Sequence, residues 1–275
     1  MLQHAFARIG TARHLLDRDS PLMIQSRVIQ AIALRDLRTR FGRTFAGTAI
    51  IVIWPLCHLL LLISIWILAR NVVPIGTDPA VFFGTGLLPY ILYFYPARMI
   101  MFALTQNRTL LGLPAVKTSD IIIARCIVDL IASFWVASIF LLILFAFGVN
   151  ALPHRPAEAM MAILATIYFA LAVGWLGAVL YAMIKAWIAV QIGGSIIMYV
   201  CAGVFFIPTA LPEKVRNALW FNPLIHSVEW LRSAYYDGYG EGMLSKSYFL
   251  WVSTVILFIA LTIERGMRGR LMIQH

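Results

Sequence analysis

The sequence predicts an all-α polytopic membrane protein with six transmembrane helices. The 275 residues are 61% hydrophobic and 12% charged, whereas a soluble domain is about half apolar and about a quarter charged. The tract 159–211 contains a single charged side chain, Lys185. One bilayer crossing needs about 20 apolar residues, and an ammonium group is costly in hydrocarbon. The tract therefore holds two crossings that turn back at Lys185.

The other four predicted crossings are apolar tracts of similar length. In chain order the six crossings are residues 46–68, 81–98 (or to 104), 121–147, 159–184, 186–207 and 247–263. The third contains Arg125 and Asp129 in its first turns, and residues at i and i+4 can pair on a helix. This spacing favours a structural ion pair near one membrane face and argues against a carrier driven by protons or sodium.

The distribution of basic residues predicts the orientation. Eight arginines precede the first crossing, and the net charge of the chain is +10. Lysine and arginine collect on the cytoplasmic side of membrane proteins, so both termini are predicted in the cytoplasm, with 1–21 and 266–275 as tails and 44–265 as the transmembrane domain. No basic patch is interleaved with aromatic residues outside the apolar tracts, so we expect no nucleic-acid partner.

Residues 22–43 are predicted to form an amphipathic helix at the membrane interface. Its apolar side chains recur every four residues from Ile29 to Phe41, and its arginines gather on another face. The charged residues that define this helix are Arg35, Asp36, Arg38 and Arg40. Such a helix lies with its apolar side in the headgroup boundary and its arginines toward lipid phosphates. It serves either as an anchor or as a docking surface for a partner.

The segment 208–246 precedes the last crossing and is rich in apolar residues. Residues 212–221 can form a short helix, and Asn222-Pro223 places an N-cap and a first-turn proline at the start of a second one. Leu224, Val228 and Leu231 then share one face. The pattern predicts a re-entrant or interfacial hairpin on the outer side, acting either as a gate or as a passive cap.

Catalytic and metal-binding patterns are missing from the sequence. None of the six histidines has zinc-ligand spacing with another, and the three cysteines are widely spaced in apolar tracts. Lys117-Thr118 ends a stretch that lacks the glycines of a phosphate loop, because Leu111 and Val116 stand in their places. We therefore expect no cofactor, no metal and no ATP hydrolysis by this chain.

Four passages resemble the membrane subunits of ABC-2 type exporters, in particular the branch that exports capsular polysaccharide and O-antigen. They are the N-terminal LRDLRTRF (34–41) with Trp54-Pro55, the stretch NRTLLGLP (107–114) leading to Asp120 and Arg125, the six-span layout, and FFIP (205–208) through FNPL (221–224) to Glu229 and Arg232. The likeness covers about residues 22–265.

The resemblance implies a bacterial inner-membrane exporter built from two copies of this chain and two cytoplasmic ATPase subunits that bind ATP and Mg²⁺. Residues 106–119 would match the coupling helix that docks on the ATPase. The expected docking residues are Asn107, Leu110, Leu111, Leu113 and Pro114. The alternative is that these apolar side chains lie on the membrane surface.

The implied cargo is a lipid-linked, acidic capsular polysaccharide, and the family also implies further periplasmic or outer-membrane export proteins. The predicted substrate-pathway residues are Tyr90, Tyr93, Arg98, Tyr168, Trp175 and Tyr199. The predicted gate residues are Phe205, Phe206, Asn222, Pro223, Glu229 and Arg232. Export of O-antigen, teichoic acid, a drug or a lipid stays open, as does a membrane enzyme acting on lipid-linked sugars or a membrane scaffold.

Overall fold

A computed structural model describes residues 20–41, 45–69, 73–239 and 242–273, except for the side chains at 21, 39–48 and 267–273. Residues 1–19 of the predicted tail 1–21 and the side chains of Arg40 and Phe41 lie outside this description. The described residues form helices and connecting turns, with no strand among them. The ten α-helices are α1 (Pro21–Phe41), α2 (Phe45–Ala69), α3 (Pro79–Met101), α4 (Ala103–Gln106), α5 (Thr118–Ala146), α6 (Pro156–Met183), α7 (Trp187–Val200), α8 (Glu213–Leu219), α9 (Pro223–Tyr235) and α10 (Lys246–Ile273). Two 3-10 helices lie at Arg108–Gly112 and Pro208–Ala210.

Capping residues and glycines set several helix ends. Asp78 caps α3, because its carboxylate accepts a hydrogen bond from the Ala80 amide at 2.8 Å, and Pro79 follows at the first helical position. Asp120 accepts from the Lys117 amide at 3.0 Å and closes the first turn of α5. Gly148 has a φ of +77° just beyond the other end of α5. That conformation is favourable only for glycine, so the helix stops there.

Helix α3 lies at the centre of the bundle. It packs against α2, α5, α6, α7 and α9, while α10 packs mainly on α6. In its most apolar stretch, 83% of the residues are buried, against 22% in α2 and in α10. The two peripheral helices therefore keep broad apolar faces on the outside of the chain.

The bundle has two distinct ends, which we call the α1 end and the hairpin end. The α1 end is formed by α1, residues 103–117 and the adjoining turns of α5 and α10, and it has a separate buried apolar cluster. The hairpin end is formed by residues 208–239 and 242–246 together with the turns before α3 and α6.

Within the described ranges, five helices are long and apolar enough to cross a membrane. They are Ala49–Ala69, Pro79–Met101, Thr118–Ala146, Pro156–Met183 and Lys246–Gly266. They correspond to the first four predicted crossings and the last one. Helix α6 ends just before the exposed Lys185, so the predicted turn at this lysine is confirmed.

The predicted fifth crossing is a shorter helix than the sequence indicated. Helix α7 has 14 residues, which is about 21 Å at 1.5 Å per residue, against about 30 Å for the hydrocarbon core. Residues 201–206 follow as turns and bends, with Gly203 at a φ of +72°. The apolar sequence contains no sign of this break. Because α7 is too short to count among the candidate spans, the count of six crossings stays a prediction.

Helix α1 is present, but its apolar face packs on the protein. Ile32 and Ala33 are buried in the cluster formed with α5, and Ile29 and Leu37 pack against it. The exposed apolar side chains of α1 are instead Leu22, Met23 and Leu34. The face that contains Ile29 was predicted to lie in the lipid headgroups. In the structure it packs against α5. The location of α1 at a membrane interface stays a prediction.

Candidate functional site

The segment 103–117 at the α1 end contains most of the predicted docking segment 106–119, and it exposes few of its apolar side chains. Leu111 and Val116 are buried at 8% and 7% exposure and Leu110 is half-buried, so the chain's own core takes most of the predicted docking surface. Leu113 is 52% exposed and Pro114 is exposed beside it. The apolar surface available to a partner is therefore the turn around Leu113.

Asn107 holds this segment to the rest of the chain and does not face outward. Its side chain is 2% exposed. The amide nitrogen donates to the Ala103 carbonyl at 3.0 Å, and the amide oxygen accepts a hydrogen bond from Arg35 of α1. Asn107, predicted as a docking residue, therefore links the segment to α1 through hydrogen bonds.

A buried arginine links α1, α5 and the same segment. Arg125 is 1% exposed, and its Nη1 donates to the Asp36 carboxylate at 2.9 Å. Its Nε lies 3.4 Å from the carboxylate of Asp129, which confirms the predicted i, i+4 pair. Its Nη2 donates to Gln106 at 3.1 Å. One guanidinium thus contacts three parts of the chain.

Two further contacts extend this polar network. Gln25 of α1 donates to the Asp120 carboxylate at 2.8 Å, and Thr118 donates to Glu264 of α10. Glu264 is 2% exposed. Hydrogen bonds and ion pairs therefore join segment 103–117 to α1 and α5, and α5 to α1 and α10.

A second buried arginine organises the hairpin end. Arg232 of α9 is fully buried, and it donates to the backbone carbonyls of Gly203, Val204 at 2.7 Å and Phe206 at 3.2 Å. Its guanidinium also lies 4.2 Å from the ring centre of Phe82. These carbonyls belong to the non-helical stretch after α7. Non-helical backbone at membrane depth needs partners within the protein, and Arg232 supplies them.

The other predicted gate residues lie around this arginine. Asn222 caps α9 by accepting from the Leu224 amide at 3.0 Å, and it donates to the Met198 carbonyl of α7 at 2.8 Å. Pro223 takes the first helical position, as predicted. Glu229, 3.8 Å from the Arg232 guanidinium, accepts from Tyr239 at 2.7 Å.

The polar residues of α9 are all enclosed by protein. Helix α9 lies outside the five candidate spans, and its residues 224–234 are buried on every side. Burial raises the pKa of the Glu229 carboxyl, while Tyr239 and Arg232 act in the opposite direction. The predicted amphipathic helix is therefore a buried helix whose polar groups bond to protein.

The predicted substrate-pathway aromatics separate into two groups. Tyr90 stacks on Tyr199 with ring centres 4.1 Å apart, and Tyr199 meets Phe205 edge-on at 5.3 Å. Tyr93, by contrast, is buried against Phe169 and bonds to a serine of α7 at 2.9 Å.

Trp175 and Tyr168 lie away from the stacked pair. Trp175 is buried in the apolar cluster of the α1 end, and the Tyr168 hydroxyl bonds to Thr254 of α10 at 3.1 Å. The structure thus brings together only Tyr90, Tyr199 and Phe205. Phe206 enters the site through its carbonyl.

No cluster of three or more histidine, cysteine, aspartate or glutamate side chains suited to a metal ion occurs in the described part of the chain. The polar groups of both ends make structural hydrogen bonds and ion pairs. Such an arrangement can hold helices in place and move them together.

Comparison with known proteins decides the family. Residues 76–263 match the family model described as ABC-2 family transporter protein, which is more than half of the chain. The chain belongs to the ABC-2 transporter family. The matched residues begin just before α3 and end near the end of the last candidate span, so they include both buried arginines.

Several relatives in this family are similar over most of the chain. The polysialic acid transport protein KpsM of Escherichia coli is 27% identical over 88% of this chain and 94% of that protein. The capsule polysaccharide export inner-membrane protein CtrC of Neisseria meningitidis serogroup A is 25% identical over 88% of this chain and 91% of its own length. BexB of Haemophilus influenzae, with the same description as CtrC, is 24% identical over 78% and 81%.

Sequence reasoning missed the long-range partners of the two arginines. The proximity of Asp36 to Arg125 and of Arg232 to residues 203–206 joins residues that are 89 and 26–29 positions apart. A charged residue inside an apolar tract was the available signal, because such a residue needs a partner. This signal identifies each arginine as a residue that needs a partner, but it does not identify the partner.

Proposed function

We propose that this ABC-2 family protein is the permease subunit of an ATP-driven exporter that moves lipid-linked capsular polysaccharide across the bacterial inner membrane. The carrying observation is the similarity to inner-membrane capsule export proteins over most of both chains. The helical fold with five long apolar helices supports this assignment. O-antigen or teichoic acid export is the neighbouring function, and the test below separates it from capsule export.

In this proposal the α1 end faces the cytoplasm and two copies of the chain assemble with two ATPase subunits. The excess of arginine in and before α1 supports that orientation. The exposed turn at Leu113 and Pro114 supports docking, because it is the accessible apolar part of the predicted docking segment. The low burial of α2 and α10 supports contacts with lipid and with the second copy.

The polar network at the α1 end then gives the docking segment a mechanical role. ATPase closure moves the segment, and Asn107 and Arg125 carry the movement into α1 and α5. The hairpin end responds through α3 and α6, which extend toward both ends of the bundle. We propose that Arg232 holds the non-helical stretch 201–206 in the closed position, so that Phe205 and Phe206 act as gate residues.

The test is deletion of the gene, followed by localisation of each surface polysaccharide in thin sections with specific antibodies. The proposal predicts capsule of normal length trapped in the cytoplasm, restored to the surface by the wild-type gene. A trapped O-antigen or teichoic acid with normal capsule would replace the substrate. All polymers at the surface would overturn polysaccharide export, and absence of polymer would indicate a role in synthesis.

A further inference from the structure

A cavity of about 350 Å³ lies between α2, α3 and α5 and is separate from both the docking segment and the hairpin. Its polar wall includes Tyr95, Arg98, Asp129 and Ser133. Its other walls are apolar, from residues of all three helices. The volume is at the lower end of the usual range for small-molecule sites, about 300–1,000 Å³.

The cavity has a charged end and an apolar end. Arg98 is in the last turn of α3, and Ile91 lies seven residues earlier on the same helix, which is about 10 Å along the axis. Asp129 and Val136 repeat this order on α5. The charged end faces the α1 end of the bundle, and the apolar end faces its middle. A ligand that matches both ends is amphiphilic.

One arginine of the cavity wall pairs with no acidic residue in the described ranges. Arg125 lies between the carboxylates of Asp36 and Asp129, and Arg35 lies 3.9 Å from Asp36. Arg98 makes no hydrogen bond or ion pair with any residue in the described ranges. An anion that enters the cavity therefore meets a guanidinium that no described carboxylate contacts.

Arg98 is also only partly exposed. Its Nε is buried and its side chain is half-buried, within a helix long and apolar enough to span a membrane. A guanidinium in such a place needs an anionic partner. Its planar fork matches a phosphate through two parallel hydrogen bonds. Asp129 forms its ion pair with Arg125, and no ion pair joins it to Arg98.

The cavity reaches an exposed face of α2. Ile50 and Trp54 line the cavity and are 61% and 67% exposed. An acyl chain can enter between them while its head remains at the charged end. We propose that this cavity binds an anionic amphiphile, with the phosphate of its head on Arg98 and its hydrocarbon chain along the wall between Trp54 and Ile91.

Two molecules share this chemistry, namely an anionic phospholipid of the bilayer and the phosphate-bearing lipid anchor of an exported polymer. The site itself does not depend on which polymer the protein exports. Binding is therefore measured on the purified full chain without ATPase or polymer, so that failure of capsule export and failure of this site are distinguishable.

The probes are dioctanoyl phosphatidylglycerol, dioctanoyl phosphatidylcholine and inorganic phosphate, titrated against the protein in neutral detergent. We expect saturable binding of phosphatidylglycerol, with binding of phosphatidylcholine at least about 10-fold weaker, and no competition by millimolar inorganic phosphate. Arg98→Gln should weaken phosphatidylglycerol binding by roughly 10- to 100-fold. Arg108→Gln is the matched control, because Arg108 is an exposed arginine at the same end of the bundle.

A second pair of variants tests the cavity without removing a charge. Ala132→Phe fills the cavity from α5 and should also abolish binding, whereas Ile131→Phe lies on the exposed side of the same turn and should leave it unchanged. If Arg98→Gln fails to fold, this pair decides the question. Equal affinity of wild type and a folded Arg98→Gln or Ala132→Phe, or equal affinity for the two lipids, overturns the proposal.

Mass spectrometry of lipids that co-purify with the wild type but not with Arg98→Gln identifies the source. If phosphatidylglycerol co-purifies with the wild type both from cells that synthesise the polymer and from cells that do not, the ligand is a bilayer lipid. A phosphate-bearing glycolipid that appears only with polymer synthesis supports the polymer anchor. Identical lipids from both proteins contradict the site.

Discussion

Removing the charge of Arg125 should destabilise the α1 end more than any conservative change of its partners. The Asp36 and Asp129 carboxylates are each 3% exposed, and both lie within 3.4 Å of the Arg125 guanidinium. Arg125→Met removes the buried guanidinium that contacts both carboxylates. Breaking a buried ion pair in this way costs about 3–5 kcal/mol, so we expect a large fall in unfolding temperature.

The assay uses the native cysteine next to this arginine. Cys126 is buried at 9% exposure, so a thiol-reactive fluorescent dye reports the unfolding of α5 as the temperature rises. Cys57 and Cys201 are replaced by serine to remove their signals. A shift of about 3–5 kcal/mol moves the midpoint by several degrees in a protein of this size.

The matched control is the triple variant with Arg125→Met, Asp36→Asn and Asp129→Asn. It removes all three buried charges together, and replacing a whole buried ionic group is often close to neutral. We expect it to recover more than half of the lost stability. The reasoning is refuted if Arg125→Met unfolds at the wild-type temperature, or if the triple variant is no more stable than the single one.

Three further predictions concern the docking turn and the hairpin end. Leu113→Asp should reduce co-purification of the ATPase at least about 10-fold. It should leave the unfolding temperature unchanged, because the Leu113 side chain is 52% exposed. Leu111→Ala, at a buried position, should instead cost about 2–5 kcal/mol of stability. An unchanged complex with Leu113→Asp contradicts docking at this turn. Gly86→Ala should destabilise the hairpin end by about 1–3 kcal/mol. The new Cβ would lie 2.9 Å from the Val204 carbonyl oxygen and 2.9 Å from the Arg232 guanidinium. Gly112→Ala is its control, with no atom within 4 Å, and equal stability of the two variants counts against the close approach. Asn222→Ala should lower stability by about 1–2 kcal/mol through loss of the cap and of the hydrogen bond to the Met198 carbonyl. Asn222→Ser, which keeps a cap acceptor, should be less affected in the same thermal assay, and an equal loss with Ser would contradict the capping role.

The elements that the sequence predicted well are those governed by local chemistry. The apolar tracts, the turn at Lys185 and the Asn222-Pro223 helix start follow from hydropathy and capping within a few residues. The Arg125–Asp129 pair follows from helical spacing. Each of these features depends on residues close together along the chain, so the local sequence is sufficient to predict it.

The elements that it did not predict depend on contacts between distant parts of the chain. Helix α7 ends early because Gly203 takes a positive φ and Arg232 satisfies the freed carbonyls, although the sequence there stays apolar. Leu111 and Val116 are as apolar as Leu113, yet only the packed bundle determines which of the three faces outward. The apolar face of α1 was likewise compatible with lipid or with α5, and the packing selected α5.

ATP-dependent uptake of polymer by inside-out membrane vesicles tests the proposed export function most directly. Vesicles from cells that produce the chain and its ATPase are supplied with lipid-linked capsular polymer, and the fraction protected from an added glycosidase is measured. The account predicts protection that requires ATP and is lost without this chain, and that returns with the wild-type protein. Equal protection with and without the chain, while the ATPase is present and active, would contradict the assignment as the export permease.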